Sequence, residues 1–277
     1  MPDTPGTLFV VSTPIGNLGD LTFRAVDVLR AATLIVAEDT RHSRHLLDRY
    51  AVETPVHPYH EHNEARATPA LVARLVAGER VALISDAGTP LLSDPGARLV
   101  AAAVAAGVPV VPVPGASALL AAIVASGIAA DRFTFVGFLP RKGRERSAAV
   151  AELVALTHTA VVYEAPPRVA DTLAELAAAG AGGRRVAVAR ELTKQFEEVR
   201  RGTVAELAAY YEDAPPRGEV VLVLAGAAPA PAADETTLRE RVAELRDRGA
   251  DARAIVVELT QSFGAPRNLA YRLAHEL

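Results

Sequence analysis

The segment Leu83-Ile-Ser-Asp-Ala-Gly-Thr-Pro-Leu-Leu-Ser-Asp-Pro-Gly96 gathers groups able to hold a ligand. Asp86 brings a carboxylate, Thr89 a hydroxyl, and Gly88 lacks the Cβ that would keep a ligand off the backbone. The apolar run 81–84 reads as a buried strand, and Ser93-Asp-Pro95 as the start of a helix reaching about residue 106. That places the segment at the carboxyl end of a parallel strand, where open α/β sheets bind ligands. An ordinary strand-to-helix turn has the same outline, and one Gly-Thr-Pro does not separate the two. Lys194 suggests a different chemistry. Only Lys142 and Lys194 are lysines among 29 lysines and arginines, and a desolvated lysine can act as a base where arginine cannot. Lys194 follows a strand end in Glu191-Leu-Thr-Lys194, so it is the one preferred for chemistry, against chance survival of two surface lysines. Glu38, Asp39 and Arg41 also follow a strand end; they either orient a substrate or serve as helix-capping carboxylates beside a surface arginine.

Such groups need strand ends to carry them, and the chain supplies a regular alternation. Residues 8–12, 34–37, 56–59, 81–84 and 108–113 read as strands, and 22–32, 41–50 and 64–77 as helices. The pattern is that of βαβ units in a mostly parallel sheet. Pro112-Val-Pro-Gly-Ala-Ser117 leads into an alanine-rich helix over 118–125, and the boundary between a first α/β domain, 1–115, and a second, 116–226, falls at this turn. In the second, residues 134–138, 160–163, 186–189 and 219–224 read as strands, with 197–201 a polar one. Helices are expected over 144–156 and 168–178, and Thr203-Val-Ala-Glu206 is a capping box. Two strands with no helix between them predict a mixed sheet. Residues 227–234 form a Pro/Ala linker, and the tail 235–277 reads as three helices, either helix-turn-helix-like or a small helical cap.

Composition narrows the function classes. Half of the 277 residues are hydrophobic and mean hydropathy is +0.19, enough for a substantial core. No run approaches the roughly 18 apolar residues of a membrane helix, and Met1-Pro-Asp-Thr-Pro-Gly6 lacks the basic start and apolar stretch of an export signal. A cytoplasmic protein is expected. The absence of cysteine excludes thiolate metal sites and cysteine nucleophiles. A net charge of −4 argues against a general positive coat but leaves room for local basic surfaces. Arg141-Lys-Gly-Arg-Glu-Arg146 is one, the helix from Arg41 to Arg49 another, and Arg184-Arg185 and Arg200-Arg201 add two pairs. Each is either a solvated face or a phosphate contact. No Walker A motif occurs, and no Gly-x-Gly-x-x-Gly follows the first strand. Instead Ser12-Thr-Pro-Ile-Gly-Asn-Leu-Gly-Asp20 makes a turn in which Pro14 and Gly16 leave backbone groups free and Asp20 caps the next helix. His57, His60 and His62 lie close in sequence but lack the spacing of a ligand set, so no metal is expected.

Taken together, Ser12-Thr-Pro-Ile-Gly-Asn-Leu18, Ala37-Glu-Asp-Thr-Arg-His42, Ser85-Asp-Ala-Gly-Thr-Pro90, Asp94-Pro-Gly96 and Pro114-Gly-Ala-Ser117 resemble one family. Gly137-Phe-Leu-Pro140, Tyr163-Glu164 with Arg168, Ala189-Arg-Glu-Leu-Thr-Lys194 and Gly218-Glu219 extend the likeness over residues 8–225. The family is that of ribosomal RNA small-subunit methyltransferase I, within the tetrapyrrole methylase-like superfamily. The resemblance implies two α/β domains forming a homodimer, with S-adenosylmethionine folded into the cleft between the domains. It also implies methylation of a cytidine ribose 2′-hydroxyl in the decoding region of 16S rRNA, met as naked rRNA or assembled small subunit. By the same resemblance the cofactor would lie against Pro14, Ile15 and Gly16, against Asp86, Gly88 and Thr89, and against Ser117 and Ala118. Tyr163, Glu164, Leu192, Gly218 and Glu219 would close over it from the second domain. Lys194, Glu38 and Arg41 are the catalytic candidates, and Arg141, Lys142, Arg144 and Arg146 the RNA contacts. A methylase acting on a small tetrapyrrole-like molecule, or a ribosome-assembly factor that senses a nucleoside, are the alternatives. The basic segments favour RNA, since phosphates need arginine and lysine partners.

Overall fold

The computed structural model describes residues 6–228 and 234–276, so residues 229–233 of the Pro/Ala linker lie outside it. The chain divides into two compact units, Met1–Ala225 and Gly226–Leu277.

The first unit opens with β1 (Thr7–Val11), β2 (Leu34–Ala37), β3 (Val56–Pro58), β4 (Arg80–Ile84) and β5 (Val110–Val113), a parallel sheet in the order β3-β2-β4-β1-β5. The intervening helices are α1 (Phe23–Ala31), α2 (Thr40–Arg49), α3 (Glu64–Val76) and α4 (Ala97–Ala105). Leu-Ile-Val-Ala of β2 is buried along its whole length, as an unbroken apolar run must be when helices cover both faces of a parallel sheet. Leu29, Ile35 and Leu47 fill one face; Leu8, Leu34, Tyr59, Leu75 and Leu99 fill the other. All five strands run the same way, so their carboxyl ends, and the turns that follow them, share one edge.

Two local readings of the sequence are corrected here. α4 begins at Ala97, after Gly96, with no side-chain cap. Leu91 (φ 74°) and Ser93 (φ 69°) are left-handed, which breaks the chain into a loop, and Pro95 keeps Asp94 out of helical geometry. Asp20 does not cap α1 either. Asn17 accepts from the Gly19 N–H at 3.0 Å and draws Asp20 into a 3-10 turn, Leu18–Asp20, leaving Thr22 to cap α1 by accepting from the Ala25 N–H at 3.1 Å.

The same unit continues with α5 (Ala118–Ser126), β6 (Phe133–Phe138), α6 (Gly143–Ala155), β7 (Thr159–Glu164), α7 (Val169–Leu176), β8 (Arg185–Arg190), β9 (Glu198–Thr203), α8 (Val204–Asp213) and β10 (Val220–Leu224). The second sheet has the order β6-β7-β10-β8-β9. β6 runs parallel to β7, and the other pairings are antiparallel. β8 and β9 pair directly, Arg185 with Thr203 through Arg190 with Glu198, which makes the sheet mixed. The capping box at Thr203 is present, with the hydroxyl accepting from the Glu206 N–H and the Glu206 carboxylate from that of Thr203. One face of this sheet packs on α6, α7 and α8 through Val150, Leu173 and Leu207. The other packs on α5, where Leu119 and Ala122 meet Ile15 and Leu192 from outside the sheet.

The second unit holds α9 (Glu235–Asp247), α10 (Ala252–Gln261) and α11 (Arg267–His275) around Leu238, Ile255, Leu259 and Leu273. Asp234 and Asp251 cap the first two by accepting backbone N–H groups. Arg272 pairs with Glu235 at 2.8 Å, so its charge is used inside the helical unit. Among the described residues no helix is long and apolar enough to cross a membrane.

Candidate ligand-binding site

The turns after β1 and β4 are sewn to each other. Thr13 donates its N–H to the Gly88 carbonyl at 2.8 Å, and Gly88 returns an N–H to the Thr13 carbonyl at 3.1 Å. The backbone groups of Thr13 and Gly88 are thus taken up by each other. Gly88 has φ +80°, and a Cβ there would stand 3.1 Å from Ile15 Cγ2, so both conformation and space call for glycine. Around this bridge the chain alternates. Ile15 and residues 87–89 face one cavity, whereas Pro14, Gly16, Ser85 and Asp86 face another.

The larger cavity, about 320 Å3, lies between the carboxyl edge of the first sheet and one end of the second. Of the residues expected at a cofactor site, Ile15, Gly88, Thr89, Ser117, Ala118, Tyr163, Glu164, Gly218 and Glu219 stand on its wall. Pro14, Gly16 and Asp86 stand on the smaller cavity, about 180 Å3, and Leu192 is buried in the apolar cluster with Ile15. Leu92, Asp94 and Phe138 also line the larger cavity and were missed. Asp94 was in the right segment but read as a helix cap; the second carboxylate after one strand end was the signal available.

Several of the wall's polar groups are already engaged. Thr89 Oγ1 lies 3.0 Å from Ser12 Oγ and donates to the Ala116 carbonyl at 3.2 Å. Ser117 caps α5 by accepting from the Leu120 N–H. The Glu164 side chain is fully buried: it accepts from Thr172 Oγ1 at 2.6 Å and from the Ala165 N–H at 2.8 Å, and pairs with Arg168 at 3.3 Å. Asp94 differs. Burial, the negative charges of Glu38 and then Asp86 push its carboxyl up to about 6, against a hydrogen bond from Ser85. Glu38 is raised too, by burial and then by Asp86. Tyr163 packs edge-on against Phe135 and Phe138, and its phenol is raised by burial.

Lys194 is held by carboxylates. Nζ donates to Glu191 Oε1 and to Glu219 Oε2, both at 2.9 Å. Partial burial works against the charge, but the two carboxylates outweigh it and raise the ammonium above the ordinary lysine range. Lys194 is thus a cation paired with two carboxylates, where the sequence suggested a desolvated base. Its stem fills the space a Gly16 Cβ would need, and Gly218 (φ +82°) likewise leaves room for the Glu191 carboxylate. The cluster fastens the β1 turn, the β8–β9 turn and the start of β10 together. Arg41 is not brought to either cavity: its side chain is 94% exposed, 3.9 Å from Asp39, which caps α2.

The basic loop divides in the same way. Arg141, Lys142 and Arg144 are exposed. Arg146 is buried: Nε donates to Glu175 at 2.8 Å, Nη1 to the Pro140 carbonyl at 3.2 Å and Nη2 to Thr172 Oγ1 at 2.9 Å. A side chain tied down at every nitrogen is not an RNA contact, and that expectation is corrected. No cluster of three His, Asp or Glu side chains suited to a metal occurs among the described residues.

Residues 7–208 match the family described as Tetrapyrrole (Corrin/Porphyrin) Methylases. A protein of Synechocystis sp. named ribosomal RNA small subunit methyltransferase I is 45% identical over 274 residues, 98% of this chain and 98% of its own. One of the same name from Xylella fastidiosa is 47% identical, covering 97% and 98% of the two chains. Among solved structures the methyltransferase CobJ superposes with TM-score 0.61 at 21% identity, over 82% of this chain and 96% of its own. The uroporphyrin-III C-methyltransferase of Thermus thermophilus, complexed with S-adenosylhomocysteine, gives 0.57 at 19% identity over 79% and 97%. These two likenesses establish the fold.

Proposed function

The chain belongs to the ribosomal RNA small subunit methyltransferase I family, within the tetrapyrrole methylases, and from that membership we propose that it methylates small-subunit rRNA with S-adenosylmethionine. The finer reading is transfer to the 2′-hydroxyl of a cytidine in the decoding region, by a cytoplasmic homodimer. The observation that carries the reading is the larger cavity, walled by the strand-end turns of one sheet and by Tyr163, Glu164 and Glu219 of the other. Its volume, about 320 Å3, falls in the range of small-ligand sites. Its wall mixes apolar Ile15, Leu92 and Val221 with the carboxylates of Asp94 and Glu219, which suits a cationic amino acid–nucleoside.

S-adenosylmethionine supplies an electrophilic methyl group on a sulfonium. The chain's part is to align the acceptor, exclude water and take a proton. A ribose hydroxyl is a weak nucleophile, and a carboxylate titrating near the working pH is a suitable acceptor for its proton. Asp94 is the wall residue with that property. Glu38 and Asp86 keep it poised, and Lys194 holds Glu219 in place on the rim. Exposed Arg141, Lys142 and Arg144 supply phosphate contacts. The homodimer is supported by the apolar surface that α5 leaves outward through Leu120 and Val124.

The test is transfer of a labelled methyl group to naked small-subunit rRNA and to small subunits lacking the modification. A product nucleotide resistant to alkaline cleavage marks the 2′-oxygen. Label in neither RNA, or label on a base, sinks the proposal.

A further inference from the structure

Ser43 carries a hydroxyl that the fold leaves unused. It lies in α2, is 3% exposed, and its Oγ has no hydrogen-bond partner among the described residues. A helical serine can return its hydroxyl to the carbonyl four residues back, and this one does not. Buried hydroxyls without partners are uncommon, and one that borders a cavity points to a ligand. Ser43 borders the smaller cavity beside Asp86. Asp86 Oδ1 accepts from the Asp39 N–H at 3.0 Å, which leaves Oδ2 as an acceptor. Pro14, Leu18 and Leu46 give the cavity apolar sides, and His42 and His45 stand exposed beside it.

This is the inventory that recognises a flat heteroaromatic ring with an exocyclic amine next to a ring acceptor. The carboxylate accepts from the amine, the hydroxyl bonds the acceptor edge, and apolar and imidazole surfaces stack on the faces. At about 180 Å3 against about 320 Å3, the smaller cavity suits a single ring and the larger a whole nucleoside. The two are partitioned by the same pair of turns, Ile15 and residues 87–89 facing one while Pro14, Gly16, Ser85 and Asp86 face the other. A nucleotide with its base in the smaller cavity therefore brings its ribose to the partition, beside the larger.

We propose that the smaller cavity receives the extruded base of the acceptor nucleotide, an aminopyrimidine, with Asp86 and Ser43 reading its edge. This rests on the reading of the larger cavity as the methyl-donor site. Extrusion costs least from a loop or single strand, and a site that satisfies the exposed edge offsets that cost. Uracil would present a carbonyl oxygen to the Asp86 carboxylate, acceptor against acceptor.

The experiment compares rRNA carrying cytidine or uridine at the position the parent protein methylates. The parent is expected to favour cytidine by roughly ten- to a hundredfold in kcat/KM. Asp86→Asn keeps an oxygen for the Asp39 N–H and replaces the other acceptor by an amide donor. Most of the preference should vanish, read as the cytidine-to-uridine ratio of kcat/KM, because losing the Asp86 charge beside Asp94 alters the rate on both RNAs alike. Ser43→Val should lower kcat/KM for either RNA about tenfold. Both variants should bind S-adenosylhomocysteine within twofold of the parent by calorimetry, which also reports that they are folded. A cytidine preference that persists in Asp86→Asn, or loss of S-adenosylhomocysteine affinity in either variant, overturns the inference while leaving the donor site standing. A parent protein that binds S-adenosylhomocysteine but methylates neither RNA removes the reading of the larger cavity, and this inference with it.

Discussion

Arg146 and Glu164 stand 3.9 Å apart beneath the second sheet, the arginine side chain 8% exposed and the glutamate 0%. Arg168 and Thr172 complete the surroundings of the carboxylate, and Glu175 those of the guanidinium. Removing one member of such a group leaves the other charge buried and unpaired, which costs about 3 kcal/mol or more. Arg146→Ser is therefore expected to lower the urea midpoint and the Tm sharply. An Arg146→Ser protein as stable as the parent would contradict the buried network.

The exposed part of the same loop behaves differently. Arg141→Ser, Lys142→Ser and Arg144→Ser together should leave stability unchanged and weaken rRNA binding. Each lost phosphate contact should flatten the slope of log K against log salt by roughly 0.7 to 0.9. A triple variant with the parental slope would make this loop a solvated surface.

Asp94→Asn should separate chemistry from binding. Transfer should fall by at least about a hundredfold, with S-adenosylhomocysteine affinity nearly kept, and the parent's activity loss below about pH 6 should disappear from what activity remains. Stability gives an independent check. A carboxyl raised to about 6 in the folded protein stabilises it when protonated, and that contribution is lost as pH rises from the unfolded value, 3.8, through about 6. The asparagine variant should thus be more stable than the parent above pH 6, by about 1–2 kcal/mol after screening by solvent, and match it near pH 3. Equal stability at neutral pH would mean that Asp94 is not under charge pressure.

Lys194→Met should lower cofactor affinity several-fold, because Glu191 and Glu219 lose the cation that joins them. The pH profile of the remaining activity should keep its shape. A lost alkaline limb would restore Lys194 as a base.

Deleting the chain after Ala228 should leave S-adenosylhomocysteine binding intact, since the first unit contains both cavities and the helical unit has its own core. Binding to the ribosomal substrate should weaken. Loss of cofactor binding instead would show the helical unit to be a structural cap.

The sheets were legible because burial on two faces writes itself as runs such as Leu34-Ile-Val-Ala37 and Val220-Val-Leu-Val-Leu224. Caps with a single local partner, Thr203 with Glu206, were legible for the same reason: the interaction lies within one turn of chain. What the sequence did not display was the sorting of neighbours to opposite sides. Ile15 and Gly16, or Asp86 and Ala87, differ by one position and face different cavities because of the Thr13–Gly88 bridge, a contact between distant segments. Arg146 was misjudged on the same ground, since Glu175 comes from elsewhere in the chain, and so in part was Lys194, whose second carboxylate, Glu219, is distant although Glu191 is local.

The strand order β3-β2-β4-β1-β5 has a consequence for how the chain is made. β1 takes its place only between β4 and β5, pairing Thr7 with Arg80 and Leu8 with Val110. During synthesis β2 and β3 can pair as soon as both have emerged, whereas β1, which precedes both of its neighbours in the chain, must wait for one of them. Until then Leu8, Phe9, Val10 and Val11 are an unpaired apolar segment. Closing so long a loop is slow, and exposed strand edges of this kind promote aggregation. The nascent chain is thus most vulnerable to chaperone capture or misassembly before β4 appears.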